Sequence, residues 1–554
     1  MQMASDESKE MRGLAAATAI QSSLDTHHRP MAPGEREQAR GSETNHPSVG
    51  DDQRHYLTRV DGQTGGFVDG LVGWMRTLGY RSLLYSLRLR GRFPGNLRRA
   101  PARLWPGNET EGKAITVGHF AWAGYTQKDH DEPFTDREAP DAFLAYLHSF
   151  AWLDHLAAAS QGEAFRAVAE PLCRLWLRDF SAVHSLAWRP DITGARIINW
   201  CYHAEYMAPT KDLILRSAVV TSIARQCRHL DRSAFRAAPG FPRFTALAGR
   251  VFGHLFLSSA GGALDHAEAA FARECLRFIA HDGGTMARHP HEALQSLRLL
   301  ISLRAAYRQY QRECPADWQL AIDRLVPYVR GLRMGDGTFS RVFGGAPVAA
   351  KAIDITLDLA EADGAPLSNG AHSGVQRIAA GQTILIADAG PPPPPHVCAG
   401  AHSGTLAIEM SDGDHPLILN CGAGPLGRPL ARDLAWMARS TAAHSTLSID
   451  NTNSAQVRSN GSIGQAPRVV SIDRRESDQG TWLDMDHDGY GKRFGLIHRR
   501  RLYLSSDGCD LRGEDQLGPL SWRQRGGPPW KQLVHRLRGH AGRRFDIRFH
   551  LDPR

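Results

Sequence analysis

Two patterns of apolar residues divide the chain. Between about residues 140 and 335, apolar side chains recur every three or four positions, as at Leu264, Ala267, Phe271, Cys275 and Phe278. This spacing is typical of amphipathic helices. Breaks rich in Gly, Pro or Asp interrupt the pattern at regular intervals, at 188–191, 238–240, 258–262 and 281–284. Helix pairs joined by short loops are therefore predicted, and their repetition indicates an α/α toroid, incomplete, over residues 66–335.

After the segment 334–340 the pattern changes to short β-type runs separated by Gly, Asp, Asn and Pro. Seven such runs lie at 351–360, 381–390, 404–411, 415–422, 445–450, 468–473 and 496–505. Many short strands at this spacing indicate an antiparallel β-sandwich over residues 336–554. The prolines 391–395 form a stiff loop, since strand-like sequence flanks them. The sequence thus predicts a multidomain α+β protein, with the sandwich truncated at the C-terminus after an Arg- and Gly-rich stretch.

The N-terminal region has a different character. Residues 1–65 are rich in Ser, Gly, His and charge, which predicts a disordered extension, and they contain no apolar stretch typical of a secretory signal. The segment 66–97 mixes Leu, Trp, Tyr and Arg. Such a helix either lies on a membrane surface or packs against the next domain, and we expect packing. No transmembrane segment is expected, because the longest apolar runs, near 297–303, are far shorter than the roughly 20 residues that span a bilayer.

Charge and cysteine content narrow the possible functions. The 554 residues carry 66 Lys+Arg and 58 Asp+Glu, a net charge of +8. Residues 491–554 hold fifteen Lys/Arg and six Asp/Glu, so this tail accounts for the whole excess. A basic surface suits an acidic polysaccharide, an anionic lipid or nucleic acid, and it is equally compatible with a solvated surface. None of the eight cysteines falls in a CxxC pair, and their apolar neighbours predict buried free thiols.

Several stretches share a resemblance to one family. They are LWPGN (104–108), WRPDITGARIINW (188–200), DGGTMARHP (282–290), AHSGVQRIAAGQTILIADAGPPPP (371–394), AHSGTLAIEMSDGDHPLILNCG (401–422), RSTAAHSTLSIDNTNSA (439–455) and LRGEDQL (511–517). Together they resemble the heparinase II/III-like family of polysaccharide lyases, from about residue 75 onward. The resemblance implies an α/α toroid followed by an antiparallel β-sandwich, which agrees with the two apolar patterns.

The resemblance also implies a reaction, the cleavage of acidic polysaccharides by β-elimination. This chemistry needs a neutralised uronate carboxylate, a base for the C5 proton and an acid for the departing glycosidic oxygen. The family assigns these roles to an Asn or His together with a Tyr and a His in the cleft between the domains. Relatives are assigned to the cell envelope, so the resemblance implies the envelope or periplasm, while the lack of an export signal leaves the cytoplasm open.

In the predicted sandwich, the resemblance assigns two histidines to the site. His444 matches a β-domain histidine that binds zinc in some members, and His402 matches the second His of an HxH motif. Gly400 stands where active lyases carry a catalytic histidine. Asn420 lies where zinc-containing members have an Asp. A structural zinc on His402, Asn420 and His444 is therefore a candidate, although Asn is a weak neutral ligand. The alternative is a hydrogen-bonded His402/His444 pair that braces the sheet.

In the predicted toroid, the family's motifs are altered. The Asn-His motif falls near 240–243, where neither residue occurs, and Ala293 replaces the catalytic Tyr in the segment 289–294. Substitutes are drawn from His289, Tyr307, His291 or the group Asn199, Tyr202, His203 and Glu205. The predicted catalytic residues are thus His444, His402, Tyr307 and His289.

Arginines and an asparagine are the candidate substrate ligands. A guanidinium binds a carboxylate with two parallel hydrogen bonds, so Arg288 and Arg439, with Asn199, are predicted to hold the uronate. The alternative for each arginine is an ion pair at the domain junction. The expected partner is an acidic polysaccharide. A catalytically silent glycan-binding protein, and a protein that binds nucleic acid or anionic lipid through residues 491–554, remain alternatives, although no nucleic-acid module or nucleotide-binding motif is recognised.

Overall fold

The computed structural model of the protein describes residues 83–91, 97–122, 124–128, 132–208, 212–259, 262–345, 348–423, 432–459, 461–468, 470–519 and 543–553. The predicted disordered extension and most of the segment 66–97 lie outside these residues. The described part of that segment packs against the next domain: Tyr85 and Leu89 are buried, and the Tyr85 hydroxyl lies 2.8 Å from Nδ1 of His229.

Helices dominate the first half of the described chain. They are α1 (Leu83–Arg88), α2 (Glu109–Thr116), α3 (Asp141–Ser149), α4 (Trp152–Ala159), α5 (Gly162–Phe180), α6 (Pro190–Tyr202), α7 (Ala204–Met207), α8 (Leu213–Ser233), α9 (Phe241–Phe256), α10 (Ala263–Phe278), α11 (Pro290–Gln309), α12 (Ala316–Gly331) and α13 (Ala350–Ala360). The apolar stripe predicted on α10 is confirmed, since all five of its residues are buried. A short hairpin, β1 (Phe120–Trp122) with β2 (Tyr125–Gln127), lies between α2 and α3.

The helices pack closely because small residues allow their backbones to meet. A Cβ added to Gly249 of α9 would lie 2.3 Å from the Cα of Gly194 on α6, so no larger side chain fits between these two helices. Around this contact the core is aromatic, with Trp176 and Trp200 fully buried and their rings 5.3 Å apart in an edge-to-face arrangement. Edge-to-face aromatic pairs add to the stability that burial provides.

Antiparallel strands form the second half. They are β3 (Val375–Ala380), β4 (Thr383–Asp388), β5 (Ile408–Asp412), β6 (His415–Leu419), β7 (Leu447–Ile449), β8 (Val470–Ser477), β9 (Gly480–His487), β10 (Leu496–Ser505), β11 (Leu511–Pro519), β12 (Phe545–Ile547) and β13 (His550–Leu551). One sheet has the order β13-β6-β5-β4-β3 and another has the order β11-β10-β9-β8, while β12 pairs with β7. Two short helices, α14 (Arg432–Met437) and α15 (Gly491–Phe494), interrupt the strands. Apolar residues of the two larger sheets share one core cluster, as in a sandwich.

The order of a helical half followed by an antiparallel β half is confirmed, but one boundary element was predicted wrongly. The run 351–360 was predicted to be a strand, and it forms the helix α13. Its buried positions Ile353, Thr356, Leu357 and Ala360 recur at helical spacing, and this period outweighs the β-branched composition of the run. The prediction of buried thiols also fails at Cys421 and Cys509, which are exposed.

The two halves share a buried junction. Asp282, in the loop between α10 and α11, accepts hydrogen bonds from the backbone amides of His372 and Ser373 at 2.9 and 2.7 Å. Val375 and Ile386, on strands β3 and β4, belong to the same hydrophobic core cluster as the helices. The loop 281–289 is therefore fixed to the β-domain, and this contact positions the start of α11 against it.

Among the described residues, no helix combines the length and the apolar character that a crossing of the bilayer requires.

Candidate active site at the domain junction

Arg288 joins the helical domain to the sandwich. Its backbone has a left-handed conformation (φ 55°), and its buried guanidinium donates to the Asp388 carboxylate at 2.5 Å. Further donors reach the carbonyl oxygens of Ser373 and Pro391, and the group lies 4.8 Å from the centre of the Phe343 ring. Arg288 was predicted to hold the uronate, with an ion pair at the domain junction as the alternative. The geometry is that of the ion pair, because the donors of Arg288 already have protein acceptors.

Arg439 holds the loop that contains Gly400. Its guanidinium donates to the carbonyl oxygens of Ala401 at 2.8 Å and Gly461 at 2.7 Å. In the described part of the chain no carboxylate pairs with it. Burial lowers the pKa of Arg439 from its ordinary value. The residue therefore shapes this loop and brings a half-buried positive charge to it.

His402 and His444 form a sealed pair. Nδ1 of His402 lies 3.2 Å from Nε2 of His444, and Nδ1 of His444 donates to the Ser440 carbonyl at 2.7 Å. With that proton on Nδ1, Nε2 of neutral His444 is the acceptor, and His402 donates. Burial lowers the pKa of His444 to about 4 and that of His402 well below its ordinary value, so both rings are neutral at pH 7. Neither ring meets solvent enough to touch a polysaccharide.

Two glycines make room for this pair. A Cβ added to Gly344 would lie 2.3 Å from Cδ2 of His402, and one added to Gly404 would lie 2.6 Å from Cδ2 of His444. Because the rings fill the space that side chains at 344 and 404 would need, their positions are fixed by packing as well as by hydrogen bonding.

The set predicted for zinc does not fit a zinc ion. Oδ1 of Asn420 accepts from the Ser445 amide at 2.8 Å, and its Nδ2 donates to the Ile408 carbonyl and to the Glu409 carboxylate. Both ends of this side chain are thus committed within the sheet. Over the described ranges, no three His, Cys, Asp or Glu side chains are grouped as metal ligands. A structural zinc normally has four protein ligands, and here only two imidazoles meet.

Tyr307 and Asn199 lie in the helical domain away from the junction loops. The Tyr307 hydroxyl donates to the Glu268 carboxylate at 2.6 Å, and its ring packs on Trp318 in the core. Burial raises the pKa of Tyr307 from its ordinary value. Asn199 donates to the Ser149 carbonyl at 2.9 Å.

The group around Asn199 that was proposed as a substitute site is not assembled as one acid–base cluster. His203 bonds to Asp154 at 3.0 Å, while Glu205 is exposed on the short helix α7.

Three titratable side chains gather at the start of α11. His289 is the residue before the helix, and His291 and Glu292 lie in its first turn. All three are partly exposed. Nδ1 of each histidine and Oε2 of Glu292 are buried and have no hydrogen-bond partner among the described residues. Buried polar atoms are normally paired, so unpaired ones mark a site that a ligand could complete.

The electrostatics of this triplet suit proton transfer. Burial lowers the pKa of His289 to about 4 and that of His291 to about 3, so both imidazoles are neutral at pH 7 and can accept a proton. Burial raises the pKa of Glu292 to about 7, so a large fraction of this carboxyl remains protonated near neutral pH. The segment 289–292 thus holds neutral imidazoles and a largely protonated carboxyl, the two kinds of group that acid–base catalysis uses.

The start of α11 lies against the sandwich loop that carries Gly400. A Cβ added to Gly400 would lie 3.6 Å from Cδ2 of His289, and one added to Gly345 would lie 3.4 Å from Cδ of Pro290. The nearby His396 has its pKa lowered by burial and by the positive charge of Arg243 at the start of α9. We call residues 289–292 together with the loop 396–401 the junction site. Of the residues predicted as catalytic, His289 alone belongs to it.

Comparison with known proteins identifies the family of this arrangement. The model of the domain "Heparinase II/III-like, C-terminal" matches residues 362–554. A crystal structure of heparinase III shares the fold, with a TM-score of 0.55 and 13% identity over 83% of this chain and 76% of that one. Residues 362–554 therefore match the C-terminal domain of the heparinase II/III-like family, and the heparinase III structure extends the likeness of fold over most of the chain. The predicted helical toroid followed by an antiparallel β-sandwich is thereby confirmed.

Two further proteins are similar to this chain, one in structure and one in sequence. A mutant of the heparan sulfate lyase HepC from Pedobacter heparinus has a TM-score of 0.50 and 14% identity, over 80% of this chain and 75% of that one. A curated relative, FtsZ-localized protein C of Caulobacter vibrioides, is 28% identical over 480 residues, which is 83% of this chain and 78% of the relative. At 13–14% identity the lyase structures show the fold and not the reaction.

The sequence did not single out Glu292. The sequence did offer a reason to consider Glu292, because this residue lies within the segment 289–294 that aligned with the family's Tyr-containing motif. A carboxylate in the first turn of a helix is common, however, and is normally explained by the helix dipole. Only the fold reveals that Oε2 of Glu292 is buried without a hydrogen-bond partner among the described residues.

Proposed function

We propose that the protein is a lyase of the heparinase II/III-like family that cleaves a uronate-containing polysaccharide by β-elimination at the junction site. The observation that carries this proposal is the triplet His289, His291 and Glu292, which has unpaired buried polar atoms and whose first member, His289, lies against the Gly400 loop. It supplies a neutral base and a protonated acid where the family has its cleft. The match to the family's C-terminal domain and the lyase neighbours support the same class of substrate.

The proposed step uses each group once. The imidazole of His289 takes the proton from C5 of the uronate, and the electron pair of that bond forms the C4=C5 double bond. The bond from C4 to the glycosidic oxygen breaks, and Glu292 donates its proton to the departing oxygen. Positive charge from Arg243, which acts on His396, and from Arg439, which bonds to the Ala401 carbonyl, would favour the carboxylate of the uronate. Arg288 positions α11 through Asp388.

A second candidate is a catalytically silent member that binds an acidic glycan of the cell envelope. The observation that favours it is the burial of Tyr307, His402 and His444, whose side chains are too enclosed to reach a polysaccharide, together with Gly400 in place of a histidine. The curated relative is named for its localization with FtsZ and not for an enzymatic reaction. In this candidate the junction site would bind the chain without cleaving it.

The deciding experiment follows the absorbance of the unsaturated uronate that β-elimination creates. Purified protein is mixed in turn with heparin, heparan sulfate, alginate and polygalacturonate, and binding to each is measured in parallel. Glu292→Gln and His289→Ala are compared with His415→Ala, which changes a histidine whose side chain is 83% exposed on β6. A rise that both junction variants abolish and His415→Ala retains supports the lyase. Binding without any rise supports the silent candidate, and neither binding nor a rise overturns both.

A further inference from the structure

A row of four side chains crosses the outer face of the β8–β11 sheet. The strand register places Arg475 opposite Trp482, Trp482 opposite Tyr503, and Tyr503 opposite Arg512. With neighbouring strands about 4.8 Å apart, the row extends roughly 14 Å across the sheet. The Trp482 side chain is 41% exposed, a large value for a residue that usually avoids water. We call these four residues the aromatic–arginine row.

The aromatic pair at the centre of the row is held rigidly. The rings of Trp482 and Tyr503 lie 4.5 Å apart at 38°, and the Tyr503 hydroxyl donates to the Gln479 carbonyl at 2.7 Å. A Cβ added to Gly480, whose φ is +155°, would lie 2.8 Å from Cε2 of Tyr503 and 2.3 Å from the Leu504 carbonyl oxygen. Glycine at 480 therefore lets the Tyr503 ring lie against the hairpin. A surface fixed in this way loses little conformational entropy when a ligand binds.

The charges of the row favour an anionic ligand. Arg475 pairs with Asp473, and Arg512 donates to Asp510 at 2.6 Å. These arginine side chains are 69% and 71% exposed, and ion pairs so open to water contribute little to stability. Either guanidinium can therefore exchange its present partner for a carboxylate of a ligand at small cost. Asp473 and Asp484 lie opposite one another two residues from Arg475 and Trp482 on the same face, so the positive charge is confined to the row itself.

We propose that the aromatic–arginine row is a second binding surface, on which an acidic polysaccharide stacks a sugar ring over Trp482 and Tyr503 and places its carboxylates against Arg475 and Arg512. The class of ligand rests on the proposed function, while the surface itself rests on the sheet register. Aromatic rings offer a flat face to the apolar side of a pyranose, and arginines at both ends match negative groups along the chain. Such a surface would hold a long chain while the junction site acts on one linkage.

The test measures binding of the full-length protein to polygalacturonate, alginate, heparin and the neutral polymer dextran by affinity electrophoresis. Trp482→Ala and the double variant Arg475→Gln/Arg512→Gln are each expected to weaken binding to an acidic polymer by about fivefold or more. Trp436→Ala changes a tryptophan of similar exposure on α14 and serves as the matched control. Tyr503→Phe keeps the ring, so retained binding there shows that the ring matters and the hydroxyl does not. Melting temperatures identify any variant that is misfolded.

The outcomes separate this proposal from that of the junction site. Loss of binding in Trp482→Ala, with retained binding in Trp436→Ala, supports the second surface even if no polymer is cleaved. Unchanged affinity for every acidic polymer in both row variants overturns it, even if the lyase reaction is found. Dextran bound as tightly as the acidic polymers overturns the role of the arginines.

Discussion

Nδ1 of His402 lies 3.2 Å from Nε2 of His444, and both imidazoles are buried. The family resemblance implied a chemical role for these two residues, whereas this contact gives them a structural role in the sandwich. A buried imidazole that stays neutral links folding to pH, because the unfolded chain can take up the proton that the folded chain refuses.

Stability should therefore fall as the solution is acidified. The folded pKa of His444 is about 4, against 6.5 for the free side chain, so the unfolded state binds more protons between these values. The free energy of unfolding should decrease from pH 6.5 to pH 4, with a contribution from this residue of about 3 kcal/mol. Urea denaturation at pH 7, 5.5 and 4.5 checks this. His444→Gln should reduce the slope and His415→Gln should not; equal slopes in all three proteins would contradict the assignment.

The packing around the pair predicts a matched glycine experiment. Gly404→Ala should destabilise the protein by about 1–3 kcal/mol, since the added methyl overlaps the His444 ring. Gly518→Ala is the control, because a Cβ there would lie 3.9 Å from its nearest neighbour, Cγ1 of Ile497. Thermal melting compares the two variants. Equal melting temperatures would mean that the ring does not occupy the space described.

Zinc should have no effect on stability. Because Asn420 bonds to the sheet at both ends of its side chain and a third His, Cys, Asp or Glu ligand is lacking over the described ranges, neither chelation nor added zinc should move the melting temperature by more than about 1 °C. Atomic absorption of the purified protein gives the complementary measurement. A chelator-dependent fall in melting temperature with one bound zinc per chain would contradict this prediction.

The Arg288–Asp388 pair should be a major stabilising contact. Asp388→Asn would leave a buried guanidinium without its carboxylate, and such losses cost about 3–5 kcal/mol. Arg178→Gln removes an exposed partner of Asp179 and should change the denaturant midpoint far less. Denaturant midpoints measure both changes. A cost for Asp388→Asn no greater than that of the control would show that the junction does not depend on this pair.

The pKa of Glu292 predicts the pH profile of any turnover. With a pKa of about 7, this acid loses its proton as the pH rises, so the rate should fall above pH 7, while the low pKa of His289 keeps the base available down to about pH 4. Glu292→Gln should abolish most of the rate and remove the alkaline limb from what remains. An alkaline limb that persists unchanged in Glu292→Gln would exclude this residue as the acid.

The sequence was sufficient for the order of the domains and for six of the seven β-type runs, because periodicity survives in a single chain. It failed at α13, where Ile353 and Leu357 satisfy a helical stripe in a β-rich composition. The sequence could not predict which site residues are buried. His402 and His444 fit against Gly344 and Gly404, which come from two separate segments, and the junction site brings positions 289 and 400 together. Motif position identifies a residue type, whereas exposure depends on which distant segments meet.

Val375 and Ile386 of the β-domain complete the core of the helices, and Asp282 accepts hydrogen bonds from backbone amides of the β-domain. The two halves are therefore not independent modules. A fragment ending near residue 335 would expose the apolar residues that Val375 and Ile386 cover. It would also leave the Asp282 carboxylate without its backbone donors. Recombination among relatives would thus have to exchange both halves at once, so the two are expected to have diverged in step.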